Sequence, residues 1–359
     1  MRLFINHIPF VIESLNDLKT IDTTQLNNNQ LKAFFFIEKW YKEEPFTFHS
    51  SGSTGIPKAF TFTKSDVVWS AMQTIEYLNL ADDKHHFFIC LDIGLVAGAM
   101  LLARAILLNA DITIVSPSSN PFQAIDVNHA YTITSLVPMQ IQVILAEANG
   151  AGILNKFKHI LLGGAPVHAQ LNEAIKQLNC EIWHTYGMTE TLSHIALRNI
   201  KRDAEFHLLP NNFIALDERH CLKIKNIVTQ NKWLQTNDIV IISKQTFMVV
   251  GRYDFIINSG GFKVNALKVE EEILIYLNQQ QIQNVVFFIS SIPDDLLGQK
   301  VVLVVKQGAF VKQLFESLQT ALKQVLHPYE VPKEMVEVPR FFYTLSQKLD
   351  RNKIMLQIK

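Results

Sequence analysis

The chain lacks any charge imbalance. Its 359 residues carry 33 basic and 33 acidic side chains, for a formal charge of +0. A neutral chain has no long-range pull on nucleic acid or an anionic membrane surface, so neither is an expected partner. Cysteine is scarce too. Cys90, Cys180 and Cys221 are odd in number and far apart, which excludes a cysteine metal spacing and argues against a disulfide framework. A reducing cytoplasm is the expected compartment. Long apolar runs are also missing. The longest, Leu95 to Leu108, is broken by Arg104 and is too short to span a bilayer. Met1 to Leu15 has Asn6, His7 and Pro9 inside its apolar stretch and makes a poor signal peptide. Stable membrane insertion is therefore not expected. No repeat is visible, and no low-complexity tract beyond Asn27 to Asn29.

What is present is core. With 48% hydrophobic and 18% charged residues, the chain can fill one large domain and a smaller one. Leu31 to Trp40 reads as an amphipathic helix. Thr63 with Asp66 marks a helix start, for a helix from Lys64 to about Leu78. His86 to Leu91 reads as a strand, Gly94 to Leu108 as a helix and Ile112 to Val115 as a strand. The alternation continues through Tyr131 to Leu136, Pro138 to Ala148, His159 to Leu162, Val167 to Leu178 and Glu181 to His184. Such alternation implies an α/β fold with mainly parallel sheets flanked by helices. From Phe213 the pattern turns to short strands, with Ile239 to Ser243 and Thr246 to Val250 as a hairpin. After Gly251 a compact tail follows. It should hold a helix over Val269 to Leu277, strands over Asn284 to Ser290, Lys300 to Lys306 and Glu334 to Val338, and a helix bearing Leu314, Leu318, Leu322 and Val325. The expected division is a domain over 1–253 and a small α+β lid over 254–359.

The most informative stretch is Ser50-Ser51-Gly52-Ser53-Thr54-Gly55-Ile56-Pro57-Lys58, between strand-like Phe46 to Phe48 and Ala59 to Phe62. Glycines allow close backbone approach, successive N–H groups can nest an anion, and hydroxyls and Lys58 add donors. This suits phosphate. It is not the common P-loop, because Gly52 and Gly55 are too close and Lys58 follows a proline. A polar hairpin loop would look similar. His159 to Pro166 ends a buried strand in Gly163-Gly164-Ala165-Pro166, with Pro166 at an expected helix start. In open α/β sheets ligands bind beyond such strand ends, though a tight turn would read alike. In Trp183 to Thr191, Tyr186 could stack on a base, Gly187 permits close approach, and Glu190 could bind a hard cation through oxygen.

Together these stretches resemble the adenylate-forming superfamily of acyl- and aryl-CoA synthetases, luciferases and peptide-synthetase adenylation domains. The Ser50 loop resembles its phosphate loop, and Tyr186-Gly187-Met188-Thr189-Glu190 matches its second signature in full. The resemblance covers Phe46 to Arg351. It implies that ATP, Mg²⁺ and CoA are used, with a small carboxylic acid as the other partner. It places Tyr186 on adenine, Thr189 on the α-phosphate, and Mg²⁺ at Glu190 and Thr54. Gly163, Gly164, Ala165, Pro166, Gly187 and Met188 would line the nucleotide, and Gly164 and Gly187 also the acid. Thr236-Asn237-Asp238 resembles a Thr-Gly-Asp segment whose aspartate takes the ribose hydroxyls. Asn237 replaces the glycine, and asparagine tolerates left-handed backbone nearly as well. Arg252 would reach the nucleotide, and Asp254 would be a hinge. Gly260, Gly261 and Lys263 lie in a segment resembling the lid loop for thioester formation, with room at Gly261 for the pantetheine arm. Lys348 would be the adenylation lysine, alongside Lys58 and Glu190. Gln347 stands where the family usually has glycine.

The segment before the phosphate loop is short for the family, so a pared-down front end is expected. Arg104, in a helix that lines the family's acyl pocket, could pair with a second carboxylate on the substrate. It could equally reach out to solvent. That segment resembles o-succinylbenzoate–CoA ligases of menaquinone biosynthesis, which have arginine at the matching place. Many of them also have a histidine just before the helix, and Cys90 to Gly94 contains none. The expected function is thus an AMP-forming ligase for o-succinylbenzoate. Ligation of another aryl or acyl acid, or nucleotide binding without catalysis, stays open, as does a homo-oligomer.

Overall fold

The computed structural model describes residues 1–5, 8–50, 58–81, 83–126, 129–282, 285–343 and 349–358. Its strands begin with β1 (Arg2–Ile5), β2 (Ile8–Val11), β3 (Phe46–His49), β4 (Ala59–Phe62), β5 (His86–Ile89), β6 (Asp111–Ile114) and β7 (Ile133–Leu136). Then come β8 (His159–Leu162), β9 (Glu181–Gly187), β10 (His194–Asn199), β11 (Phe206–Leu208), β12 (Phe213–Leu216), β13 (Cys221–Lys225), β14 (Leu234–Ser243) and β15 (Thr246–Arg252). The last five are β16 (Ile256–Ser259), β17 (Phe262–Asn265), β18 (Phe287–Asp294), β19 (Gly298–Lys306) and β20 (Glu334–Val338).

The large sheet runs β12-β13-β14-β15-β11-β10-β9-β8-β7-β5-β6-β1-β2. Pairing is parallel from β1 through β6, β5, β7 and β8 to β9. From β9 to β10 and onward to β12 it is antiparallel. The change falls at His194, before Phe213, where the sequence pattern had placed it. Its cause is the short link Met188 to Ser193. A parallel partner needs a crossover of a dozen or more residues, and this link has no room for one.

Alternation along the parallel strands serves two faces. Phe87, Ile89, Ile112 and Ile114 join one buried cluster with Ile37, Val67, Ala71 and Leu101 from the helices Asn28–Lys42, Lys64–Tyr77 and Val96–Leu107. Phe88, Ile160, Leu162 and Ile182 join the other with Ile141, Ile144, Leu171 and Ile175 from the helices Pro138–Leu145 and Ala169–Lys176. Both faces are covered, as a parallel sheet requires. The Lys64–Tyr77 helix starts where expected. Thr63 Oγ1 accepts from the Asp66 N–H at 3.2 Å, and Asp66 Oδ2 accepts from the Thr63 N–H at 2.9 Å.

A second sheet runs β17-β16-β19-β18, with β20 parallel to β19. The helices Ala266–Gln279 and Lys312–Leu322 cover one of its faces with Val269, Ile273, Leu318 and Leu322. A single 3₁₀ turn, Tyr253–Phe255, lies between the last strand of the large sheet and the first of the small one. No helix of the described residues is long and apolar enough to cross a membrane.

Four histidines, two buried and two half-buried, set an acid limit on this fold. Burial, ahead of neighbouring positive charge, pushes His86, His159 and His184 down to about 4 and His194 well below its ordinary value. The unfolded chain takes up these protons near pH 6.5 and the folded chain resists them. Their stabilising effect is therefore complete above about pH 6.5 and is lost as pH falls toward about 4. Thermal melting should drop steadily from pH 7 to pH 4.5; a flat profile would refute the assignment.

Candidate functional site

The strand ends β8 and β9 lie side by side. The Gly163 N–H donates to the Leu136 carbonyl at 3.1 Å. A Cβ on Gly163 would stand 2.4 Å from Thr185 Oγ1 on β9, so a side chain there would displace the Thr185 hydroxyl. Gly164 turns with φ +86°. Gly164, Ala165 and Pro166 are exposed beyond the strand. The following helix starts at Ala169, with His168 at its cap, so Pro166 lies ahead of the helix rather than in its first turn.

Tyr186, near the end of β9, is held by rings. Phe206 and Phe247 flank it at 5.8 Å and 5.0 Å between centroids. Its hydroxyl donates to Asp238 Oδ2 at 2.5 Å. Burial, followed by the charge of Asp238, raises the phenol well above its ordinary value and keeps it a donor. Asp238 faces Arg252 in the β14–β15 register, and Arg252 Nη1 donates to Oδ1 at 2.9 Å. Arg252 Nε and Nη2 also donate to Asp254, at 3.0 and 2.8 Å. Three sequence-selected segments thus converge through hydrogen bonds: Tyr186 to Glu190, Thr236 to Asp238, and Arg252 to Asp254.

Asn237 corrects one expectation. It is not left-handed, since it lies within β14, where the pairing with β13 shifts register, and its φ is not positive. Its side-chain carbonyl instead accepts from Arg219 Nη1 at 3.1 Å, while Arg219 Nη2 holds the Thr236 carbonyl at 3.1 Å. Arg219 also lies 4.7 Å from the Tyr253 ring centroid. Nothing in the β12–β13 turn sequence pointed to this role, nor to Phe206 and Phe247 beside Tyr186.

The turn after Gly187 is tight. A Cβ there would lie 2.3 Å from the Ser193 carbonyl and 2.4 Å from His194 Cα. Thr189–Thr191 forms one 3₁₀ turn closed by Leu192 at φ 61°. Thr191 Oγ1 donates to the Ser193 carbonyl at 2.7 Å. Glu190 is half-buried in this turn and makes no ion pair among the described residues. The described residues contain no group of three or more His, Cys, Asp or Glu side chains that could hold a metal. A lone carboxylate suits Mg²⁺, which takes one or two from the protein and the rest from phosphate and water.

Arg104 is 3% exposed, so it does not reach out to solvent. Nη2 donates to Ser193 Oγ at 2.9 Å, and Nε has no partner among the described residues. Burial pushes the guanidinium down to about 9, leaving it charged at neutral pH. The adjacent His194 is kept neutral, by burial first and by the charge of Arg104 second. It shares a hydrogen bond with Thr74 Oγ1 at 2.7 Å. No carboxylate pairs with Arg104 among the described residues.

The β3–β4 hairpin frames the phosphate-loop candidate. The Ser50 N–H donates to the Lys58 carbonyl at 2.9 Å, and the Lys58 N–H to Ser50 Oγ at 3.3 Å. Phe46, Phe48 and Phe62 share one buried cluster with Leu192, so the hairpin is rooted in the same core as the turn after Tyr186. Ser51, Gly52, Ser53, Thr54 and Gly55 lie outside the described residues, as do Gln347 and Lys348. On either side of Lys348, Tyr343 bridges Leu349, and Arg351 reaches Glu270 at 2.8 Å. Gly260 and Gly261 turn between β16 and β17 at φ +59° and +79°, and Lys263 is exposed. At Gly261 a Cβ would meet nothing within 4 Å.

A parallel block with glycine-rich strand ends, tied through Tyr186 of β9 to Asp238 and Arg252 on the antiparallel strands β14 and β15, defines an α/β nucleotide-binding protein. The chain belongs to the AMP-binding enzyme family, whose model matches residues 33–211. A solved acyl-CoA synthetase (AMP-forming)/AMP-acid ligase II-like protein from Dyadobacter fermentans is 34% identical. That match covers 96% of this chain and 99% of the other, with a TM-score of 0.62. The 2-succinylbenzoate–CoA ligase of Listeria monocytogenes is 25% identical over 93% of this chain and 74% of its own length. The o-succinylbenzoate CoA synthetase of Bacillus subtilis, solved with ATP and magnesium ion, shares the fold. Its TM-score is 0.72 at 21% identity, covering 86% of this chain and 69% of that one.

Proposed function

We propose that the chain activates o-succinylbenzoate as its acyl-adenylate with ATP and passes the acyl group to CoA. The observation that carries the choice of acid is Arg104, a buried guanidinium next to the Glu190 turn with no anionic partner among the described residues. A buried cation is costly unless paired, and a substrate carboxylate would pair it in bidentate fashion. The carboxylate held by Arg104 cannot also be the one attacking phosphorus. The acid therefore needs two, and the ligases named above for 2-succinylbenzoate support that reading.

In the first half-reaction a carboxylate oxygen of the acid bonds to the α-phosphorus of ATP and the bond to pyrophosphate breaks. Negative charge gathers on phosphoryl oxygens, and positioned cations and N–H donors stabilise it. Lys58, Lys348 and the amides of Ser50 to Gly55 are assigned to that task, with Thr189 on the α-phosphate. Mg²⁺, held by Glu190 and Thr54, would neutralise phosphate charge. Tyr186 faces adenine, beside Gly163 to Pro166, and Asp238 takes the ribose hydroxyls. In the second half the CoA sulfur bonds to the acyl carbon and AMP leaves. We assign residues 1–253 to the body and 254–359 to a lid turning at Asp254, which would exchange Lys348 for the Gly261 loop. Three free, buried cysteines support a reducing cytoplasm.

Pyrophosphate release from ATP across a panel of acids tests this reading. Release should be fastest with o-succinylbenzoate and should yield a CoA thioester. Faster release with a monocarboxylic acid would reassign the substrate, and none with any acid, despite ATP binding, would make the chain a nucleotide-binding protein. Asp238→Asn keeps the shape and removes the charge facing Arg252 and the ribose. The KM for ATP should rise about 10-fold, the size of a lost charged hydrogen bond; an unchanged KM would exclude ribose contact.

A further inference from the structure

The outer face of strands β12 to β15 carries side chains that the reaction scheme leaves unused. These strands turn Ile214, Leu222, Ile224, Val240 and Phe247 inward, into one cluster with Tyr186. Neighbours along a strand point to opposite faces, so Phe213, Lys223, Lys225, Ile241 and Met248 look outward. Phe213 and Ile241 are 56% and 55% exposed, although both are apolar. Trp233, just before β14, is the exposed one of the four tryptophans.

Cations sit among these rings. Lys225 Nζ lies 5.4 Å from the Phe213 centroid and 5.0 Å from that of Trp233, and Lys223 Nζ lies 5.4 Å from Trp233. From Cys221 to Thr236 the chain has Lys223, Lys225 and Lys232 and no acid. None of the three lysines forms an ion pair among the described residues. Of the flanking acids, Asp217 is taken by Arg219 and Gln235, and Asp238 faces inward to Tyr186 and Arg252. Glu218 is exposed in the β12–β13 turn. A chain that is neutral in total is thus locally basic around exposed rings.

We propose that this face is where the protein rests on an anionic lipid bilayer. Lysines near a negatively charged membrane are drawn to its headgroups, while tryptophan and phenylalanine settle at the boundary of headgroups and acyl chains. Trp233 and Phe213 lie against the same lysines, so one approach brings both kinds of contact into place. β12 is the outermost strand on its side of the large sheet, so no further strand stands in the way. A second copy packed on this face would bring its own lysines and no acid to meet them. The contact is peripheral, and it needs no helix able to cross a membrane, of which the described residues have none.

The test is sedimentation with vesicles of phosphatidylcholine alone and of equal parts phosphatidylcholine and phosphatidylglycerol, at low salt. The wild-type chain should bind the anionic vesicles and leave the neutral ones, with a blue shift of tryptophan fluorescence that Trp233→Ser removes. Lys223→Gln and Lys225→Gln should each weaken binding about 5-fold, the effect of one cation near a charged surface. Lys225→Arg keeps the charge and should bind as wild type does. Absence of wild-type binding to anionic vesicles overturns the proposal, and so does equal binding by the two glutamine variants. Binding of poly-glutamate in place of vesicles also overturns it, by assigning the face to an acidic protein. A dimer in solution that Phe213→Ser dissolves would overturn it in favour of a second copy.

Discussion

An Arg104→Met variant is expected to lose o-succinylbenzoate turnover by at least about 30-fold while melting at a higher temperature than the parent. The loss follows from truncating one partner of a buried charge pair, which costs about 2–5 kcal/mol, or about 30- to 5000-fold. The stability gain follows from the free enzyme. There Arg104 carries its charge at 3% exposure, with Nε unsatisfied and the Ser193 hydroxyl as its hydrogen-bond acceptor. Methionine matches the stem and carries no charge. Replacing buried charge by apolar volume is often neutral or stabilising. A gain of about 1 kcal/mol would raise Tm by about 2–4 °C for a chain of this order of size. Turnover assays with a dicarboxylic and a monocarboxylic acid, beside a melting curve, read both signs. Unchanged o-succinylbenzoate turnover with a lowered Tm would make Arg104 a structural residue and remove the basis for the acid assignment.

Lys348→Ala should lower adenylate formation by about 100- to 1000-fold, the size expected when one donor to developing charge is removed. Thioester formation from supplied acyl-adenylate should survive. The two halves separate because the lid is assigned two faces, one carrying Lys348 and the other the Gly261 turn. Arg351 is clasped between Glu270 and the rings of Phe255 and Phe288, at 4.4 and 5.3 Å from their centroids. This ties the residues just after Lys348 into the lid core, so that Lys348 would travel with the lid. Pyrophosphate release reads the first half, and CoA thioester from synthetic adenylate reads the second. Equal loss in both would show that Lys348 serves the lid as a whole.

The difference between these residues and those the sequence missed is one of range. Short apolar runs in His86 to Ile89 and His159 to Leu162, spaced by helical segments, and the Thr63–Asp66 capping pair are local, so the α/β class and the start of the Lys64–Tyr77 helix were legible. The tight turns at Gly163 to Gly164 and after Gly187 were legible too, because close backbone approach demands glycine at those places. The antiparallel turn of the sheet at His194 was not, since it depends on the length of a link rather than on strand composition.

By itself the sequence determined the family and the alternation of strands and helices, because each is written in a few neighbouring residues. Only the tertiary structure decided that Tyr186, Asp238 and Arg252 share hydrogen bonds, that Arg219 binds the Asn237 side chain, and that Arg104 is sealed from water with no acid to pair with among the described residues. Those facts depend on strand order and on packing between residues up to about ninety positions apart, such as Arg104 and Ser193. No local pattern encodes such contacts, because burial and the partners it permits exist only once the two faces of the sheet are covered.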